Sequence, residues 1–121
     1  MRDQILAWID QDRDLLVEFL SKFIQARSPN PPGDTLAAAA HVTGFLDREK
    51  LAHRVIAPNK IMPNIVASFD AAAPGKHLVL NGHIDVFPVG DESRWKHGAW
   101  SGAIADGNVY GRGSSDMKGG T

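Results

Sequence analysis

From Met1 to Arg27 the apolar positions are Ile5, Trp8, Ile9, Leu15, Leu16, Phe19, Leu20, Phe23 and Ile24, the i, i+3, i+4 recurrence of an amphipathic helix. The polar run Asp10-Gln11-Asp12-Arg13-Asp14 interrupts this stripe. The segment therefore reads as one bent helix or two short ones, with Asp10 or Asp12 available to cap the second. Ser28-Pro29-Asn30-Pro31-Pro32-Gly33-Asp34 follows. Its prolines lack the N–H donors that helices and ladders need, so it reads as an ordered loop. Asp34 or Thr35 can cap a further helix from Leu36 to about Lys50, whose apolar face is carried by Val42, Phe45 and Leu46.

Beyond Leu51 the period becomes extended. His53 to Ala57 and Asn64 to Phe69 are short, β-branched runs bounded by Pro58 and Pro63, and each predicts a strand. Asp70 to Gly75 reads as a turn. His77-Leu78-Val79-Leu80 is a continuous apolar run, the pattern of a strand covered on both faces by helices. Ala105-Asp106-Gly107-Asn108 is a hairpin signal between Ile104 and Val109-Tyr110. The chain stops at Thr121 directly after a glycine-rich motif, which suggests a fragment of a larger domain.

Composition narrows the function. With 13 Lys and Arg against 14 Asp and Glu, there is no basic excess for nucleic acid. With no Cys among 121 residues, disulfides and thiolate metal sites are excluded. No apolar run approaches the roughly 18 residues of a membrane span, so neither membrane nor nucleic acid is an expected partner and the expected location is the cytoplasm.

Two constellations carry candidate chemistry. Asn81-Gly82-His83-Ile84-Asp85-Val86 follows the apolar run, at the carboxyl end of an expected strand, where open α/β sheets bind ligands. His83 and Asp85 are two apart, so in extended backbone they share a face. One reading is a metal-ligating imidazole oriented by a carboxylate; the other is a buried His bonded to Asp without metal. The second constellation is Gly111-Arg112-Gly113-Ser114-Ser115-Asp116-Met117-Lys118-Gly119-Gly120. It fits neither the phosphate-loop, the dinucleotide nor the nucleophile-elbow spacing. What remains is Asp116, a ligand or else the cap of a following helix. His41, His53, His77 and His97 read as solvated or core-satisfied, Lys118 as solvated or paired with Asp106 or Asp91, and Arg112 as meeting a substrate carboxylate or a loop aspartate. Trp95, Trp100 and Tyr110 read as loop packing.

Taken together, Gly82-His83-Ile84-Asp85-Val86 and Gly111-Arg112-Gly113 leading into Asp116-Met117-Lys118-Gly119-Gly120 resemble the paired signatures of the M20 metallopeptidase family. That family includes deacetylases, desuccinylases, aminoacylases and carboxypeptidases. The Ser28 to Gly33 loop, Asn64 to Ala67 and Trp95 are also similar to family features. The resemblance implies an α/β fold, a zinc-exopeptidase-like sheet sandwiched between helices, incomplete in this chain. Residues 1–121 would be the amino-terminal part of the catalytic domain. It further implies two zinc ions, with cobalt acceptable to the same ligands. His83 would bind one ion, Asp116 would bridge both, and Asp85 would be the catalytic residue holding His83 in its tautomer. A cis peptide between Asp116 and Met117 is part of the same expectation. The implied activity is metal-dependent hydrolysis of an amide bond in an N-acyl amino acid or small peptide, with a homodimer formed through a domain outside this chain. The remaining ligands and the glutamate base would lie beyond Thr121, so these 121 residues are expected to be inactive alone. The rival reading is a pseudoenzyme or inactive fragment acting as an interaction module. Phe87 and His97-Gly98-Ala99-Trp100 depart from the family pattern.

Overall fold

A computed structural model describes all 121 residues. The interrupted stripe resolves into two helices, α1 (Arg2–Gln11) and α2 (Arg13–Gln25). They break at Asp12, whose side chain makes no capping hydrogen bond. The third helix, α3 (Leu36–Arg48), is preceded by Thr35, but the capping bond comes from Asp34, whose Oδ1 accepts from Leu36 N at 3.1 Å. β1 (His53–Ile56) pairs antiparallel with β2 (Asn64–Ala67). β3 (Ala103–Ala105) pairs with β4 (Asn108–Tyr110) across a turn in which Asp106 and Gly107 have φ of 52° and 73°. Two successive positive φ values are the conformation the Asp-Gly signal requires.

The expected strand over 77–80 does not form. Leu78, Val79 and Leu80 are 78%, 74% and 85% exposed, and the two sheets have only two strands each. A strand read as covered on both faces needs ladder partners and covering helices. Here β2 is paired with β1, and nothing in the chain pairs with 77–80. Only short two-stranded pieces of sheet are present within these residues, as the incomplete α/β fold implies.

The core is small and centred on α2. Phe23 and Ile24 are fully buried, with Ala38, Ala39, Val86 and Ala99 around them. Phe19, Phe23, Phe45 and His41 form an aromatic cluster between α2 and α3, with Phe19 and His41 centroids 4.4 Å apart. Burial holds the His41 pKa below its usual value, and its Nε2–H donates to the Phe19 carbonyl at 3.1 Å. By contrast the apolar side of α1, including Ile5, Trp8 and Ile9, is exposed.

Three sets of contacts bind the two motif segments to α2 and the loop after it. Ser28 is fully buried and its Oγ donates to the Ile84 carbonyl at 2.7 Å. Val86 N donates to Ser28 O at 2.9 Å and Asn30 N to Val86 O at 2.8 Å, which makes a parallel bridge between Pro29 and Val86. From the glycine-rich segment, Lys118 is 3% exposed, and its Nζ donates to Phe23 O at 2.8 Å and Ala26 O at 2.6 Å while lying over the Phe23 ring. This corrects the sequence reading of Lys118 as solvated or paired with Asp106 or Asp91. The carbonyls at a helix carboxyl terminus lack intrahelical donors, and an ammonium satisfies them and the negative end of the helix dipole. Glycine is required where these segments touch. A Cβ on Gly102, at φ +60°, would strike the Ser21 carbonyl, and one on Gly113, at φ +92°, would meet Val86 Cγ1 at 2.6 Å.

Ser28→Ala leaves the Ile84 carbonyl without its buried donor and is expected to lower stability by about 1–2 kcal/mol in urea unfolding. Burial draws the Lys118 pKa from 10.5 down to about 8. The folded chain therefore holds fewer protons than the unfolded chain between those pH values, and Lys118 makes stability rise with pH across that window. Relative to Lys118→Met, the parent is expected to gain stability from about pH 8 to 10.5; parallel pH profiles would refute this.

Candidate metal centre

The tethering of Ile84–Val86 to the loop after α2, and of Lys118 to the helix end, decides where the two constellations meet. His83 Nε2 lies 3.3 Å from Asp116 Oδ1. On the other side of the ring, Nδ1 is 2.9 Å from the Asp85 main-chain carbonyl and 3.2 Å from Asp85 Oδ1. Both are acceptors only, as is the Asp116 carboxylate; the two closer acceptors favour Nδ1 for the single proton of the neutral imidazole, with the Nε2 lone pair on the Asp116 side. The shared face expected for His83 and Asp85 therefore appears as an i, i+2 contact through both side chain and backbone.

Two contacts steady the motif backbone. His83 N faces Met117 Sδ at 3.4 Å, and Thr121 Oγ1 donates to His83 O at 3.2 Å. The Asp116–Met117 peptide is cis. A further residue enters that the sequence reading did not select: Asn30 Nδ2 donates to Asp85 Oδ2 at 2.8 Å. No local pattern marked Asn30, because its partner lies 55 positions away.

The donor set suits a cation. Two ligands of one tetrahedral zinc ion, at bond lengths near 2.0–2.1 Å, lie about 3.3–3.4 Å apart. The Nε2 to Oδ1 separation of 3.3 Å matches that span. The Asp116 side chain is 89% exposed, so its second oxygen is unencumbered. No cluster of three or more His, Asp or Glu ligands exists in the chain. His83 and Asp116 alone leave a zinc coordination shell incomplete.

The Asp85 main-chain carbonyl is the largest influence on His83 and raises its pKa above the usual value; partial burial opposes this, and the Asp85 and Asp116 carboxylates add to the rise. The other candidates lie elsewhere. Arg112 pairs with no loop aspartate: its guanidinium lies over Trp95 at 5.0 Å and donates to Pro88 O at 3.4 Å. Trp95 Nε1 is tied to Val89 O at 3.0 Å, a packing role. The His97 ring packs on Tyr110 at 4.2 Å, and its buried Nε2 has no partner, so it is neither solvated nor satisfied. His53 Nδ1 is bonded to Leu51 O at 3.1 Å, and His77 lies in the exposed 77–80 segment. An open groove of about 900 Å³ runs beside the centre, lined by Val42, Leu46, Ile65, Leu80, His83 and Asp85 among others.

Known proteins show the same segments. The sequence model of peptidase family M20/M25/M40 matches residues 79–121, which hold His83, Asp85 and Asp116. The matched segment thus contains both constellations and covers about a third of the chain. A succinyl-diaminopimelate desuccinylase of Rhodopseudomonas palustris (strain BisA53) is 54% identical over 57 residues, 47% of this chain and 14% of that protein. A desuccinylase of the same name from Nitrobacter hamburgensis is 60% identical over 48 residues, 40% of this chain and 12% of that protein. The M20 family metallo-carboxypeptidase Sso-CP2 from Sulfolobus solfataricus superposes with a TM-score of 0.76 at 26% identity over 86% of this chain and 24% of its own. The chain thus spans less than a quarter of the length of these relatives. The fold is that of the carboxypeptidase over most of the chain, with only short sheets present here.

A metal ion at His83 Nε2 would compete with the proton there. The zinc affinity of the chain is expected to rise by about tenfold per pH unit below the raised His83 pKa and to level off above it, as read by calorimetric titration. Since the main-chain carbonyl is the first cause of that raised pKa, Asp85→Asn is expected to lower it only part of the way toward the usual 6.5 in an NMR titration. Full reversion would contradict the geometry.

Proposed function

We propose that residues 1–121 form the amino-terminal part of the catalytic domain of a longer, metal-dependent amidohydrolase or exopeptidase. The observation that carries this reading is the approach of His83 and Asp116 to within 3.3 Å of each other. The family match over both residues supports it. In the reading, His83 and Asp116 would hold the divalent cations, and Asp85 would keep the His83 proton on Nδ1. Zinc, or cobalt in its place, would polarise the amide carbonyl and lower the pKa of water when bound.

The residues of this chain do the holding and orienting. Asp85 presents an acceptor to Nδ1 at 3.2 Å and so keeps Nε2 free for a cation. The Phe23 and Ala26 carbonyls fix Lys118, two residues after Asp116, and thereby the loop that carries the carboxylate. The substrate class is an N-acyl amino acid or small peptide. An N-succinyl diamino acid is the first to assay, because relatives 54% and 60% identical over the matched residues are succinyl-diaminopimelate desuccinylases. Dimerisation through a domain outside these residues and a cytoplasmic location belong to the same proposal. No helix here is long and apolar enough to cross a membrane.

The longer protein is expected to hydrolyse such an amide and to lose that activity to a chelator. His83→Ala and Asp116→Ala should each reduce kcat/KM by more than about 100-fold, and Asp85→Ala by about 10- to 100-fold. Hydrolysis that survives chelation, or is indifferent to His83→Ala, would overturn the reading in favour of metal-free chemistry. An absence of any hydrolysis in metal-loaded full-length protein would favour the interaction module.

A further inference from the structure

Both motif segments supply the centre, but one contact comes from neither. Asn30 lies in the proline loop, and its amide meets the Asp85 carboxylate at 2.8 Å. A carboxylate only accepts, so the NH2 group must face it. The placement is built. Asn30 N is bonded to Val86 O at 2.8 Å, Ser28 on the same loop holds Val86 N and the Ile84 carbonyl, and the Pro29 to Val86 bridge brackets Asp85.

We propose that Asn30 is a positioning residue for the metal centre: by occupying Asp85 Oδ2 it fixes the carboxylate with Oδ1 toward His83 Nδ1, and so fixes the imidazole tautomer. The inference rests on the metal-binding reading of His83 proposed above. One carboxylate oxygen takes the amide proton and the other faces the ring at 3.2 Å. Without the amide, the Asp85 carboxylate is free to turn away from the ring, which then keeps only the main-chain carbonyl at 2.9 Å as a fixed acceptor. A second carboxylate at position 30 acts more strongly than a simple deletion, because it repels Asp85 from the same spot.

The test compares the 121-residue parent chain with Asn30→Ala, Asn30→Asp and His83→Ala. Two readouts are used: the ring-nitrogen NMR shifts of His83 at a pH where the imidazole is neutral, without metal, and titration with Zn²⁺ alone. Asn30 is exposed, so the unfolding midpoint should stay near that of the parent in both Asn30 variants. The parent is expected to hold His83 as the Nδ1–H tautomer. Asn30→Ala should give a mixture with the Nε2–H form and roughly 3- to 10-fold weaker zinc binding, and Asn30→Asp a larger change in both. A His83 tautomer identical to the parent in both variants would overturn the inference, as would unchanged zinc affinity where that affinity depends on His83. Zinc binding that is indifferent to His83→Ala would instead remove the metal-binding reading, and the metal-free tautomer comparison would still decide the role of Asn30.

Discussion

The carboxyl end of α2 is the fixed point to which both halves of the centre are tied. Two of its carbonyls, from Phe23 and Ala26, take the Lys118 ammonium, and the buried hydroxyl of Ser28 just beyond it holds the Ile84 carbonyl. These are short polar contacts inside a small apolar core, where an unmade hydrogen bond costs more than a made one gains. Their consequence is geometric. Ile84 and Lys118 each lie within two residues of a side chain that meets the other across 3.3 Å. The core around Phe23 and Ile24 is therefore also the template on which an imidazole and a carboxylate converge.

Much of the local structure could be read from the sequence because its causes are local. The helical first segment with its break near Asp12, the Asp106-Gly107 turn and the strands β1 and β2 follow from periodicity and turn chemistry within a few residues. The 77–80 segment could not be read in the same way. Its apolar run reports the cover a strand would have, while the strand itself depends on ladder partners that these residues do not provide. Lys118 was misread for a related reason. A charged residue in a glycine-rich stretch reads as solvated, and only the fold reveals two unpaired helix carbonyls beside it. Within the Ser28 to Gly33 loop nothing set Asn30 apart, since an amide in a proline loop is ordinary until a carboxylate arrives from elsewhere in the chain.

The chemistry of the site follows from a division of labour on the imidazole. Acceptors crowd Nδ1, and the Asp116 carboxylate faces Nε2. In the absence of a cation this favours the protonated ring, which is why its pKa is raised. A divalent ion would take the place of that proton between the same two side chains. A site that holds a proton between His and Asp and a site that holds a metal between them share most of their geometry, and they differ in what else completes the coordination. No group of three candidate ligands occurs in the chain, which covers 14% of a desuccinylase and 24% of a carboxypeptidase.

The most direct measurement is anomalous diffraction at the zinc edge from crystals of the zinc-loaded protein that contains this segment. The account requires a peak within bonding distance, about 2.0–2.2 Å, of both His83 Nε2 and an Asp116 carboxylate oxygen. A zinc ion bound through other residues, with His83 and Asp116 left bonded to each other, would contradict it.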